Sequence, residues 1–414
     1  MLLLQSLNKR CFAAQITPQE GQKGSFREAK AMVINMKVVT AIDSFKGSLT
    51  SIDAGNACAE GIRRAYPDAE ILVRPLADGG EGTTEALALG MNGILRTIRA
   101  HDARMREVDC TYCIAGETAV IEMAAAAGLP QLGESLRNPL ETTTYGVGEM
   151  IADAIKKGCR DFVIGIGGSA TNDGGTGMLA ALGFGLLDKN GSPIALGAKG
   201  LRELAKIEDT GIVKELRDCR IRVACDVTNP LCGELGCSAV YGPQKGATPD
   251  MVREMDAWLE NFAAITKEKY PTSDKNYPGS GAAGGLGFAL REFLGGELIS
   301  GITLVLDVTR LEDYIKDADI VITGEGRLDR QSAMGKAPVG VASLAKKHGK
   351  LCIAFAGAVT EDAVACNEVG IDAFFPIRRS ICTLTEAMDT KNASRDLADT
   401  AEQVFKLIKS CGRI

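Results

Sequence analysis

Four stretches of the chain set hydroxyl, amide, carboxylate and cationic side chains among glycines, each directly after an apolar run. They are Asp43-Ser-Phe-Lys-Gly-Ser48, Ala77-Asp-Gly-Gly-Glu-Gly-Thr83, the loop from Gly167 to Gly175, and Gly324-Glu-Gly-Arg-Leu-Asp329 with Gly335-Lys336 just beyond. Each lies before a helix start, where unpaired N–H groups and the helix dipole favour anions. Lys46 and Lys336 add positive charge, and the carboxylates could take a proton or hold Mg2+. Phosphoryl transfer needs amides and cations for phosphate oxygens, a metal, and a base for the hydroxyl nucleophile. The four loops supply that inventory. Singly, each has a plainer reading: a tight turn, Asp43 and Asp78 as helix-entry residues, Lys46 and Lys336 as solvated cations, Asp226 as a turn cap. Their recurrence favours a phosphate-handling site.

The elements that must position these loops alternate strand and helix from Met36 onward. Lys37 to Ile42 reads as a strand, and Thr50 with Asp53 as a capping box opening a helix. Ile71 to Val73 is a second strand. Residues 94–122 alternate and read as β-hairpins. A helix over 146–157, a strand Phe162 to Ile166, the glycine loop and a helix from Met178 to Leu187 follow. Ile221 to Ala224 is a strand ending at Cys225-Asp226. Thr248-Pro249 is a helix start, and Met251, Met255, Trp258, Leu259 and Phe262 share one face of that helix. Later strands are expected at Thr303 to Val308, Ile320 to Thr323 and Leu351 to Phe355. Strands separated by helices predict an α/β protein with mostly parallel sheets. Such sheets place ligands beyond the carboxyl ends of their strands, where the polar glycine loops fall.

Bulk properties narrow the function. At roughly 100–200 residues per domain, 414 residues suggest two or three. The net charge of −6, with no basic stripe, argues against nucleic acid. No apolar run approaches the ~18 residues of a membrane span. Thirteen dispersed cysteines fit reduced thiols in a cytoplasmic protein, and Cys110 and Cys113 read as buried small hydrophobes. The two histidines, His101 and His348, lie in polar contexts that disfavour histidine catalysis. Residues 1–35 read as a disordered tail or as sequence preceding a true start at Met36. No GxxxxGK[ST] P-loop is present, since Gly335-Lys336 is followed by Ala337 and position 330 is Arg.

The motifs "DSFKGSL", "ADGGEGT", "GIGGSATNDGGTGML", "CDVTNPLCG" with "YGPQKGA", "GSGAAGGLG", and "ITGEGRLDRQS" with "GKAP" resemble the glycerate kinase type-1 family, in order and from residue 36 nearly to the end. The resemblance implies ATP-dependent phosphorylation of D-glycerate on its 2-hydroxyl, with Mg2+. It implies two α/β domains, one flavodoxin-like with a parallel sheet and built from both ends of the chain (36–95 and 280–414), the other inserted at 96–279. Within that frame Asp78, Asp173 and Lys46 are the expected catalytic residues, with one aspartate as base and the other on Mg2+. Asp43, Ser44, Lys46, Arg327 and Asp329 are expected to bind substrate. Gly167, Gly168, Ser169, Thr171, Asn172, Gly174 and Gly175 are expected to cradle ATP, and Asp173 and Asp226 to hold metal. The expected partner is the small-molecule substrate, with no nucleic acid and no membrane, and a homo-oligomer is left open. A kinase for another small hydroxy acid, a kinase forming 3-phosphoglycerate and a non-catalytic ligand-binding protein are the alternatives.

Overall fold

The computed structural model describes residues 36–77 and 82–412; the expectations for residues 1–35 and for Asp78 lie outside the described residues. One sheet has five strands, β1 (Lys37–Ile42), β2 (Glu70–Val73), β11 (Ile320–Leu328), β12 (Leu351–Val359) and β13 (Ala373–Pro376). All pair parallel, in the order β13-β12-β11-β1-β2. A second sheet has six: β3 (Ile94–His101), β4 (Glu107–Ala115), β5 (Thr118–Glu122), β6 (Asp161–Gly165), β9 (Arg220–Ala224) and β10 (Glu297–Ile299), in the order β10-β9-β6-β5-β4-β3. It is parallel from β10 to β5, and β4 and β3 continue it antiparallel. β7 (Gly185–Leu187) and β8 (Lys206–Glu208) form a small separate antiparallel pair. The protein is of the α/β class.

The alternation of side chains along each strand builds the layers. In β1, Val38 and Ile42 enter one apolar cluster while Val39 and Ala41 enter another, as a two-residue period requires. β11 repeats this, with Ile320 and Ile322 on one side and Val321 on the other. Helices Ser51–Ala65 and Thr390–Cys411 close the outer face of the five-stranded sheet through Ala54, Cys58, Ile62, Leu397 and Phe405. The inner cluster joins that sheet to Cys113, Val120, Val163 and Ala224 of the six-stranded one, with helices Thr83–Gly90, Gly301–Val308 and Ala337–Lys347 contributing to it. The far face of the six-stranded sheet packs on helices Tyr145–Lys156, Pro249–Lys269 and Ala282–Leu294. Each large aliphatic buried this way contributes about 1.5–3 kcal/mol.

Local signals explain most boundaries. The Thr50 hydroxyl oxygen accepts from the Asp53 N–H at 3.1 Å, and Thr248 does the same for Met251 at 3.3 Å. Met255, Leu259 and Phe262 are buried on the helix that Thr248 opens. Cys110 and Cys113 sit three residues apart on β4 and so face opposite clusters, which prevents a redox pair. Every cysteine among the described residues is a free thiol.

Two sequence expectations need correction. The helix expected from Met178 to Leu187 is Thr176–Ala181, ended by Gly183 at φ +91° and followed by β7. The strand expected at Thr303 to Val308 is the helix Gly301–Val308, with Ile302, Leu304 and Val305 buried.

Candidate active site

β1 and β11 run side by side and release their loops at the same end. Ile42 is paired with Gly324, so Asp43 and Glu325 are the first residues past that pair. Asp43 is buried; its N–H donates to the Gly324 carbonyl at 2.9 Å, and its Oδ1 accepts from the Ser44 N–H at 2.7 Å. A tight turn follows, with Phe45 N–H donating to Leu49 O at 2.9 Å and Gly47 at φ +78°, and it carries Lys46 out to solvent. β11 presses against this turn at Gly326. A Cβ there would lie 3.4 Å from Phe45 Cα and 3.5 Å from the Lys46 nitrogen.

The turn and β11 gather one polar cluster. Arg327 is exposed, with Nε 3.7 Å from Asp329 Oδ2. Asp329 Oδ1 accepts from the N–H groups of Gln331 (2.9 Å) and Ser332 (3.2 Å), so this carboxylate also shapes its own turn. Lys336 is exposed at the N-cap of helix Ala337–Lys347. Glu325, which sequence reasoning passed over, is 9% exposed and its Oε1 is buried with no hydrogen-bond partner. Burial pushes its carboxyl above the ordinary range; a Ser332 hydrogen bond and the charges of Lys336 and Lys46 pull it back.

The glycine loop after β6 is turned largely inward. Gly167 and Gly168 are exposed, Ser169 keeps 9% exposure, and every residue from Ala170 to Leu179 is buried. Asn172 donates from Nδ2 to Ser238 Oγ at 2.8 Å. Gly174 donates its N–H to Gly284 O at 2.9 Å, and Gly284 lies so close that a Cβ would fall 2.0 Å from Thr171 O. The "GSGAAGGLG" motif thus backs this loop. Thr171, Asn172, Gly174 and Gly175 shape the loop from inside. The surface it offers a ligand is Gly167, Gly168 and the edge of Ser169.

Asp173 is placed differently from a base or a metal ligand. It has no exposed surface. Its Oδ2 accepts from Thr144 N–H (2.8 Å), Thr144 Oγ1 (2.9 Å), Thr143 Oγ1 (3.3 Å) and Gly177 N–H (3.2 Å), and its Oδ1 accepts from Gly175 N–H (3.1 Å). Burial raises its carboxyl, and the bonds from Thr144, Gly175 and Gly177 oppose that. Its lone pairs go to the first turns of two helices, Tyr145–Lys156 and Thr176–Ala181. Asp226 is exposed, and its Oδ1 accepts from Gly301 N–H at 2.8 Å at the start of the next helix. Among the described residues no group of three His, Cys, Asp or Glu gathers as a metal site.

Lys245, also missed as a site residue, is 1% exposed behind the glycine loop, and its Nζ donates to Ser169 Oγ at 2.9 Å and Thr171 O at 2.6 Å. Burial pushes its ammonium down to about 8, against upward pulls from Cys237 and Asp173. An unfolded chain keeps that proton up to the ordinary 10.5. Above pH 8 the unfolded state therefore binds more protons than the folded one, and stability rises with pH. In urea unfolding, the stability difference between wild type and Lys245→Met is expected to grow in favour of wild type by about 3 kcal/mol between pH 8 and 10.5. A difference that stays flat over that interval would contradict this burial.

Hydrogen bonds also tie the chain to the strand ends of each sheet. Ser51 Oγ donates to Ile42 O and accepts from Leu76 N–H, both at 2.7 Å, which ties the chain after β2 to the end of β1. Past the undescribed residues, Thr84 N–H donates at 2.5 Å to Glu122 Oε1 at the end of β5. Met123 N–H in turn donates to Gly165 O at the end of β6, at 2.9 Å. Burial raises the Glu122 carboxyl, opposed by the Thr84 hydrogen bonds.

Parallel sheets with anion-seeking amides and cations at their carboxyl ends define a phosphate-handling α/β enzyme. The sequence profile of the glycerate kinase family matches residues 38–409. The glycerate 2-kinase of Escherichia coli K12 is 46% identical over 372 residues, spanning 88% of this chain and 98% of that protein. The glycerate kinase of Haemophilus influenzae is also 46% identical, over 90% of this chain and 99% of its own. A crystal structure from Salmonella typhimurium LT2, described as a candidate glycerate kinase 2, superposes with a TM-score of 0.85 at 44% identity, covering 92% of this chain and all of that one. The chain belongs to the glycerate kinase family and is an enzyme of the phosphotransferase class.

Proposed function

We propose that this enzyme transfers the γ-phosphoryl group of ATP to the 2-hydroxyl of D-glycerate by direct in-line displacement. The observation that carries the reading is the meeting of the 43–48 turn with β11 at Gly326, which sets Lys46, Arg327, Lys336, Glu325 and Asp329 around one strand end. The name of the Escherichia coli relative supports transfer to the 2-hydroxyl.

In this mechanism Arg327 and Lys46 take the glycerate carboxylate and the transferring phosphoryl, Arg327 with a planar fork suited to both. Asp43, Ser44 and Asp329 frame the diol end of the substrate only through their turns and polar edges, orienting the acceptor for attack. Gly167, Gly168 and Ser169 offer the ATP phosphates the close backbone approach that glycine permits. Negative charge spreads over the phosphoryl oxygens in the transition state, where fixed cations act most strongly. Asp173 does not fit a metal centre, since its oxygens are saturated with hydrogen bonds, whereas Asp226 is exposed with Oδ1 on Gly301 N–H and would be the carboxylate to hold Mg2+. Mg2+ held there would neutralise charge on the nucleotide phosphates. The two sheets belong to two domains in this reading, one carrying β1, β2 and β11–β13 and the other β3–β10. Their closure over the substrates would exclude water as a competing acceptor.

The test is NMR identification of the product formed from D-glycerate, ATP and Mg2+. The expected product is 2-phosphoglycerate. 3-Phosphoglycerate would overturn the regiochemistry while leaving a glycerate kinase.

A further inference from the structure

We propose that Glu325 is the catalytic base of the transfer, its Oε1 accepting the proton of the glycerate hydroxyl as that oxygen bonds to the γ-phosphorus. This role rests on the glycerate kinase reading above. The bond formed joins the acceptor oxygen to the γ-phosphorus. The bond broken joins that phosphorus to the β,γ-bridging oxygen, whose electron pair leaves with ADP. The proton passes from the hydroxyl to Glu325 and then to solvent.

Three observations converge on this residue. Its position is the first of β11 past the pair Ile42–Gly324, just beyond the carboxyl end of β1, while β11 continues against β12 to Leu328. Its side chain is nine-tenths buried and keeps Oε1 without any hydrogen-bond partner. A buried carboxylate oxygen left unpaired is costly, and such groups are retained where chemistry uses them. Its neighbours on either side are Gly324 and Gly326, and the latter lets the Phe45–Lys46 backbone lie against the strand. An acceptor held by Lys46 and Arg327 would therefore sit beside this oxygen rather than beside a bulky side chain.

The charged and titratable groups that act on Glu325 come from each flanking element. Lys46 lies on the 43–48 turn, Asp329 at the end of β11, Lys336 at the next helix start and Cys366 on helix Ala365–Glu368. Burial raises the Glu325 carboxyl and the two lysines limit the rise. A carboxylate raised in this way is a stronger base than a solvated glutamate, which suits general-base catalysis. Activity should accordingly fall as pH drops through this raised value.

The experiment compares wild type, Glu325→Gln and Glu325→Asp by steady-state kinetics from pH 5 to 9, with calorimetric binding of D-glycerate and of MgATP. For Glu325→Gln, kcat is expected to fall by about 10²–10⁴-fold, with both binding constants within about threefold of wild type and the acid limb of the pH profile gone. Glu325→Asp keeps a carboxylate and is expected to keep the acid limb at intermediate kcat; it carries the test if the glutamine variant does not fold. A glutamine variant with wild-type kcat, or an aspartate variant without the acid limb, overturns the role. Loss of MgATP binding with the limb intact also overturns it. If wild type phosphorylates no glycerate at all, the kinase reading fails and this role with it.

Discussion

Lys46→Met is expected to lower kcat/KM for D-glycerate by at least about 100-fold, the usual loss when one fixed donor to a developing anion is removed. The turn that carries Lys46 is held by backbone bonds, Phe45 N–H to Leu49 O and Ser48 N–H to Phe45 O. Methionine preserves the apolar stem and removes only the charge. Because the residue is exposed, stability should change by no more than about 0.5 kcal/mol. Kinetics and urea unfolding on the same preparation separate the two effects. A variant within threefold of wild type would remove Lys46 from the phosphoryl or carboxylate site, and a large loss of stability would make its role structural.

Asp173→Ala is expected to destabilise the fold by about 4 kcal/mol or more. Each buried donor left without a partner costs about 1–3 kcal/mol, and this carboxylate serves the N–H groups of Thr144, Gly175 and Gly177 as well as two hydroxyls. Asp173→Asn should be destabilised as well, because its NH2 group would face N–H donors at one of the two positions. Both variants should lose activity in step with the folded fraction. Urea unfolding and activity measured side by side check this. An asparagine variant that unfolds at the wild-type midpoint yet is inactive would return Asp173 to the chemistry.

The loops were legible because glycines and polar residues at the ends of apolar runs have few other uses. The alternation in residues 94–122 likewise announced β3, β4 and β5. Other features could not be read one residue at a time. The run Ile302 to Leu306 is largely apolar and rich in β-branched residues, which suits a strand, but continuous apolar runs do not distinguish a strand from a buried helix. Asp173 looks like a catalytic carboxylate in the loop sequence; its partners Thr143 and Thr144 lie about thirty residues earlier, and only the fold brings them to it. Lys245 escaped because nothing in "YGPQKGA" announces that its ammonium turns inward toward Ser169. For Glu325 a signal was present: a lone carboxylate inside the apolar and glycine strand "IVITGEGRL", where both faces are covered. A charge in that setting is either paired or used.

Among the described residues no helix is long and apolar enough to cross a membrane; the decisive measurement uses the purified full-length chain. That measurement is ADP release from ATP and Mg2+ with and without D-glycerate, followed continuously. The reading predicts ADP release that starts on addition of D-glycerate and matches phosphoglycerate formed mole for mole. Folded protein that binds ATP but releases ADP no faster with D-glycerate than without it would contradict the account.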